Sequence, residues 1–159
     1  MKTTKPTNTE MLEYTKEVYK HMRNVSILIT DFVTKLLQDV KTHDSSKLSD
    51  IEANVLAKNQ AKLSSITYGS EEYRQALEDM KPALKHHYAC NLHHPEHWCN
   101  GIEDMSLIDI VEMLCDWKAA TLKHDDGDIY ESIKINTERF GISKQLSDIL
   151  WNTAVRLDW

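Results

Sequence analysis

The sequence predicts an all-α fold, a single-domain helical bundle. Its 159 residues include only four glycines and three prolines, too few for the frequent turns that an all-β protein needs. Several segments repeat apolar residues at the three- and four-residue intervals of an amphipathic helix. A chain of this length can bury one core without disulfides. We therefore expect one domain over residues 1–159, with residues 1–8 as a flexible N-terminal segment.

The first predicted helix opens near Thr9 and ends near Val40, with His21 among the apolar residues of one face. The next segment, residues 42–47, is rich in small polar residues that favour a turn and a new helix start. Its dipeptide His43-Asp44 therefore lies at a boundary between two elements.

Five further helices follow from periodicity and capping residues. The second covers Asp50–Leu63, and the third runs from residue 71 to about 91, with Pro82 as a kink or a fresh start. A loop over residues 92–104 carries several histidines. Ser106 then opens the most regular helix of the chain. The last two helices, near residues 128–140 and 143–157, are separated by a glycine.

Composition limits the possible partners. The chain has 25 acidic and 19 basic residues, a net charge of −6, and its basic residues are scattered, which argues against long nucleic acid as a partner. No run approaches the roughly 20 apolar residues of a membrane helix, so we expect a cytoplasmic protein without a membrane partner. The odd number of cysteines, Cys90, Cys99 and Cys115, indicates buried reduced thiols. A homo-oligomer remains open.

Histidines are concentrated in one short segment. Five of the eight lie between His86 and His97, in the run HHYACNLHHPEH. Neutral imidazole is the commonest nitrogen ligand of transition metals, and clustering lets several ring nitrogens converge on one ion. The segment therefore predicts a metal site.

Carboxylates complete the pattern of ligands. The dipeptide His43-Asp44 offers adjacent nitrogen and oxygen ligands, and an aspartate can bridge two ions. Asp109, Glu112 and Asp116 are spaced by three and four residues, so they share one stripe of a helix, where like charges repel unless they are solvated, paired or bound to a cation.

The order of these residues resembles the HD-domain superfamily of metal-dependent phosphohydrolases, in which the ligands run histidine, histidine-aspartate and a later aspartate. The segment His43–Lys47 is similar to the histidine-aspartate-x-x-lysine signature of the HD-GYP branch, and His93–Glu96 to its histidine-histidine-x-glutamate segment. Residues Asp116–Thr121 resemble the final aspartate with its alanine and threonine. The motif Asn-x-His-His-Pro-Glu-His, at residues 91–97, also resembles that of a small uncharacterised HD-like family.

The resemblance implies roles for individual residues. Four would hold a first metal: His21, His43, Asp44 and Asp116. Three are candidates for a second: His87, His93 and His94. Asp44 would bridge the two ions, and Lys47 would contact the substrate phosphate or the activated water, so these two are the catalytic candidates. Five more residues are candidates for orienting a ligand or touching substrate: His86, Glu96, His97, Glu112 and Lys118. The cofactor would be one or two divalent ions among Mn, Fe, Zn, Co, Ni and Mg.

The resemblance also implies the reaction, which is hydrolysis of a phosphomonoester or phosphodiester, with a nucleotide as the favoured substrate. An HD-like di-iron oxygenase with the same ligands is an alternative. A second alternative is a non-catalytic module stabilised by zinc, with Cys90, His93, His97 and Cys99 as the ligands of a closed site.

Overall fold

A computed structural model of the chain describes residues 5–63, 71–123 and 127–159. Over these ranges the protein is all-α and contains no strand, as the sequence predicts. The α-helices are α1 (Asn8–Val40), α2 (Asp50–Leu63), α3 (Glu71–Cys90), α4 (Leu107–Thr121), α5 (Ile129–Phe140) and α6 (Lys144–Arg156). Three short 3-10 helices cover Ser45–Leu48, Pro95–His97 and Gly101–Asp104.

Helix ends lie where local capping chemistry places them. Ser106 and Asp109 form a capping box at the start of α4, in which the serine hydroxyl accepts from a backbone N–H and the buried aspartate accepts in return. Asp128 caps α5, and Gly141 ends that helix in the left-handed conformation, with φ 61°. Local sequence is sufficient to predict these boundaries.

For two segments the structure refines the helices and loops predicted from the sequence. Pro82 lies inside α3, which runs on as one helix. The segment expected as a loop, residues 92–104, contains the second and third 3-10 helices. The sequence also predicts a turn at residues 67–70 and a surface position for His124, and both lie outside the described residues.

The chain divides into two compact units, residues 1–41 and 42–159. The first unit is α1 with its N-terminal cap, where Thr7 and Glu10 form a capping box, and no described residue of this helix is buried. The expectation of a single domain stays a prediction. No helix among the described residues is long and apolar enough to cross a membrane.

The second unit has its apolar core among α4, α5 and α6. Buried side chains from these helices and their connections form the cluster Met105, Met113, Leu114, Ile129, Ile133, Ile142, Leu150 and Ala154. Helix α2 packs along α3, and the 3-10 helix Ser45–Leu48 contacts both. This packing brings the turn at His43-Asp44 to the C-terminal end of α3, where the histidine-rich segment begins.

Candidate metal centre

The turn at His43-Asp44 adopts an unusual backbone conformation. Asp44 has φ 55° and ψ 11°, in the left-handed region, and directly precedes the 3-10 helix Ser45–Leu48. Aspartate tolerates this region better than most residues. Residues held in such conformations concentrate at functional sites. Here the turn brings both side chains of the dipeptide to one centre.

Four side chains converge on one side of Asp44, and we call them the His87 group: Asp44, His87, His93 and His94. His87 Nε2 lies 2.8 Å from His94 Nε2 and 3.2 Å from Asp44 Oδ1. His93 Nε2 lies 3.6 Å from the same carboxylate oxygen. Ligands 2.0–2.1 Å from one ion at octahedral or tetrahedral angles would be about 2.9 to 3.4 Å apart. The three separations lie near this range, and all four ligand atoms lie within 4.8 Å of one another, so the group could hold one ion.

A second cluster uses the other oxygen of Asp44. We call it the Asp116 group, and it consists of His43, Asp44 and Asp116. His43 Nε2 lies 3.6 Å from Asp44 Oδ2 and 3.6 Å from Asp116 Oδ1. Asp44 thus turns Oδ1 to one group and Oδ2 to the other. Both groups could hold a metal ion, and the carboxylate that they share lies in position to bridge them.

Glu112 contacts one histidine of each group, at the ring nitrogen Nδ1. Its Oε1 accepts a hydrogen bond from His43 Nδ1 at 2.8 Å and lies 3.1 Å from His93 Nδ1, and the carboxylate is almost fully buried. A histidine that donates Nδ1–H to a carboxylate keeps its Nε2 lone pair for a metal. Glu112, expected to orient a ligand histidine, has the contacts of that role for one histidine in each group.

Glu52 on α2 has the corresponding position beside His87. Its side chain is 0% exposed, and its Oε2 lies 3.1 Å from His87 Nδ1 while its Oε1 lies 2.6 Å from His86 Nδ1. His87 Nε2 therefore points toward the other residues of the His87 group, whereas His86 contacts the other carboxylate oxygen of Glu52. Of the two adjacent histidines, His87 is the one that faces Asp44.

The sequence analysis did not single out Glu52. The available signal is its register, since Glu52, Val55, Leu56 and Asn59 recur at the i, i+3, i+4, i+7 spacing of one helix face. An acid in register with apolar residues indicates a buried carboxylate, which must have a partner. Nothing local to α2 identifies His87 as that partner.

Two buried atoms of the centre have no hydrogen-bond partner among the described residues. They are Asp44 Oδ1 and His93 Nε2, which face each other. When the rings of His93 and His87 carry their proton on Nδ1, beside Glu112 and Glu52, their Nε2 lone pairs converge on the aspartate oxygen. Buried acceptors without donors are costly. A bound cation would satisfy both of these atoms, so these residues fit a metal ion.

Electrostatics favour the ligand forms of these groups. Burial raises the pKa of Asp44, but contacts with His87 and Lys47 outweigh it and hold that pKa well below its ordinary value. The ammonium of Lys47 contacts Asp44 Oδ2 directly. Burial, with His93 and His87 close by, lowers the pKa of His94 to about 3, and burial beside His43 lowers that of His93. The lowered pKa values keep the imidazoles of His93 and His94 neutral and the carboxylate of Asp44 charged near neutral pH, as metal binding requires.

Other candidates lie at the edge of the centre or away from it. His97 donates from Nδ1 to the backbone oxygen of Tyr88 at 2.9 Å, which fixes the loop. Glu96 forms an ion pair with Arg139 at 2.7 Å. Lys118 is half-buried in the last turn of α4, outside both groups. His21 is exposed on α1, in the first unit, and its role as a ligand stays a prediction.

The interpretation of the cysteines as buried is wrong. Cys90, Cys99 and Cys115 are free and exposed. None of the clusters of ligand atoms in the described part of the chain includes a thiol. His93, which the zinc-module alternative needs as a partner of the cysteines, points its Nε2 to Asp44 instead.

Metal removal should destabilise the protein. A ligand that binds only the folded state adds about 2.7 kcal/mol when its free concentration is 100-fold above Kd. For a chain of this size we expect Tm to fall by roughly 5 to 10 °C after chelation and to recover on adding back the ion. Differential scanning fluorimetry of the purified, chelated and reloaded protein measures this. An unchanged Tm after metal loss, verified by elemental analysis, would contradict a bound structural or catalytic ion.

Glu52→Gln should weaken metal binding by roughly 10- to 100-fold, the usual effect of removing a carboxylate behind a ligand histidine. Only His87 among the ligands contacts Glu52, so the loss should be confined to the His87 group. Titration with Co²⁺, followed by its visible absorption, measures the affinity. Glu138→Gln on the exposed side of α5 is the matched control and should titrate as the wild type does.

Comparison with known proteins adds a family but no activity. No curated protein and no solved structure matches the chain. A family model described as a family of unknown function matches residues 10–156. That match covers nearly the whole chain, including every residue of the His87 group and the Asp116 group. The chain therefore belongs to this family of unknown function, DUF5662.

Proposed function

We propose that the protein is a metal-dependent phosphohydrolase of the HD-domain type, which hydrolyses a phosphomonoester or phosphodiester, with a nucleotide as the favoured substrate. One observation carries the proposal: the two oxygens of Asp44 face two separate sets of ligands. This is the arrangement of a bridging carboxylate between two ions. It supports two ions rather than one.

The ligand set suits transition metals. The His87 group offers three imidazole nitrogens and one carboxylate, and the Asp116 group offers one imidazole and two carboxylates. Mg²⁺ prefers oxygen ligands, whereas Mn, Fe, Co, Ni and Zn accept this mixture. Such ions, when bound, lower the pKa of water and neutralise charge that develops on phosphate oxygens.

Protein side chains would orient the substrate and hold the ligand histidines in their ring orientation. Lys47, already in contact with Asp44, can turn its ammonium to a phosphate oxygen once a cation compensates the aspartate. Its side chain is 44% exposed, so substrate can reach it. Glu112 and Glu52 hold the ring orientation of three histidines. A hydrolase needs this preorganisation because a rigid site reacts without rearranging its ligands.

Elemental analysis of freshly purified protein tests the proposal together with a screen over nucleotides, small phosphomonoesters and small phosphodiesters, in which both free phosphate and the cleaved ester products are measured. We expect hydrolysis with the native ion, none after chelation, and recovery with that ion alone. Failure of the loaded protein to hydrolyse any monoester or diester would contradict the proposal. Oxygen consumption by iron-loaded protein would instead favour the di-iron oxygenase.

A further inference from the structure

A cavity of about 210 Å³ adjoins the metal centre. His94 of the His87 group and Asp116 of the Asp116 group both line it. A phosphate bound at the centre would therefore place its organic part in this cavity. Pockets for drug-sized ligands are about 300 to 1,000 Å³. The cavity therefore accepts a body somewhat smaller than a typical drug-sized ligand.

One face of α5 supplies the polar wall. Ser132, Asn136 and Arg139 recur at the i, i+4, i+7 spacing, and all three line the cavity. Arg139 is the described cationic side chain among its lining residues. The guanidinium lies over the Phe140 ring, 4.6 Å from its centroid, and its side chain is 55% exposed. It is thus both positioned and open to a ligand.

Glu96 is the present partner of Arg139. Its Oε1 lies 2.7 Å from Arg139 Nη2, and Glu96 lines the same cavity. Ion pairs as exposed as this one contribute little to stability. A carboxylate or phosphate of the ligand can therefore replace Glu96 at small cost, and guanidinium binds either anion through two parallel hydrogen bonds.

The remaining wall is aromatic. The rings of Trp117 and Phe140 lie within 7° of parallel, with centroids 6.4 Å apart, and both line the cavity with Tyr88. Flat apolar surfaces favour a planar ring over a flexible chain. The cavity thus combines metal ligands, aromatic faces and one arginine.

We infer that the substrate carries a second anionic group, which Arg139 binds while the phosphate lies at the metals and a small planar body lies between them. This inference rests on the proposed phosphohydrolase function, because the metal centre anchors the phosphate. Glu96 is a competitor that the second anion displaces. Arg139 thereby selects phosphate esters that carry a second anionic group over phosphate esters that lack one.

Two phosphonates that cannot be hydrolysed test this by isothermal titration calorimetry with the metal-loaded protein. They are phenylphosphonate and 4-carboxyphenylphosphonate, which differ in the second anion alone. We expect the carboxylated compound to bind about tenfold more tightly, as one charge-assisted bidentate contact implies. Arg139→Gln should abolish that preference and leave phenylphosphonate binding unchanged, whereas Glu96→Gln should increase the preference. Arg156→Gln, at an exposed position on α6, is the matched control and should keep it.

Each outcome has a definite meaning. Equal binding of both compounds to the wild type, or a preference that survives in Arg139→Gln, overturns the inference and leaves the metal-dependent hydrolase intact. Absence of binding by either compound to protein of verified metal content overturns the phosphate site itself, and the inference with it. Retained phenylphosphonate binding in Arg139→Gln shows that this variant is folded and loaded.

Discussion

Asp44→Asn should lose metal from both groups and with it the proposed activity, while helicity stays that of the wild type. The substitution keeps the shape of the side chain, and asparagine tolerates the left-handed conformation of residue 44 as aspartate does. It removes the charge that both groups share. Because Asp44 is itself a proposed ligand in both groups, the loss in affinity should exceed the roughly 10- to 100-fold found for carboxylates behind a ligand.

Metal stoichiometry by elemental analysis and far-ultraviolet circular dichroism measure the two effects. The double variant Cys90→Ser, Cys99→Ser is the control, since both thiols are exposed and lie outside the ligand clusters. It should keep its metal. Full metal content in Asp44→Asn together with metal loss in the cysteine variant would overturn the proposed centre in favour of a zinc-stabilised module.

Helix boundaries could be predicted from sequence because their causes are local. The period of apolar residues in α4, with Ser106 three residues before Asp109, is sufficient to place the start of that helix. The same holds for α2, whose observed bounds match those predicted. By contrast, the short 3-10 helices of residues 92–104 are too brief for a periodic signal.

The convergence of candidate ligands could be predicted where these residues lie beside the ends of helices. His43 and Asp44 lie in a turn, and His93 and His94 lie shortly after the end of α3. Each pair therefore places two candidate ligands next to each other in the sequence. Glu52 was missed because its function depends on the packing of α2 against α3, a tertiary contact that no local pattern encodes. The role of His86 was open for the same reason, since Glu52 decides which of the adjacent histidines faces the metal site.

The exposed cysteines illustrate a limit of predicting burial from composition. Cys115 follows Met113 and Leu114, which are both buried in the core of the second unit. Successive residues of a helix are turned by about 100°, so a third consecutive residue leaves the apolar face. Composition favours a buried thiol, but position on the helix decides its exposure.

Glu112→Gln should weaken metal binding in both groups at once. The carboxylate oxygen Oε1 accepts from His43 in the Asp116 group and lies 3.1 Å from Nδ1 of His93 in the His87 group. An amide oxygen is a weaker acceptor, and the amide nitrogen offers a donor where acceptors are needed. We expect both binding steps of a Co²⁺ titration to weaken by roughly 10- to 100-fold. Glu52→Gln should weaken one step alone, because Glu52 contacts no ligand of the Asp116 group.

The contrast between these two variants tests the two-group architecture without any substrate. Circular dichroism of the metal-free proteins shows whether each variant is folded, so that a loss of affinity is not mistaken for unfolding. If Glu112→Gln and Glu52→Gln weakened the same single step, the groups would not be separate sites joined through Asp44. Wild-type affinity in Glu112→Gln would remove Glu112 from the support of the centre, since a buried carboxylate that fixes two ligand histidines cannot be neutralised without changing their basicity.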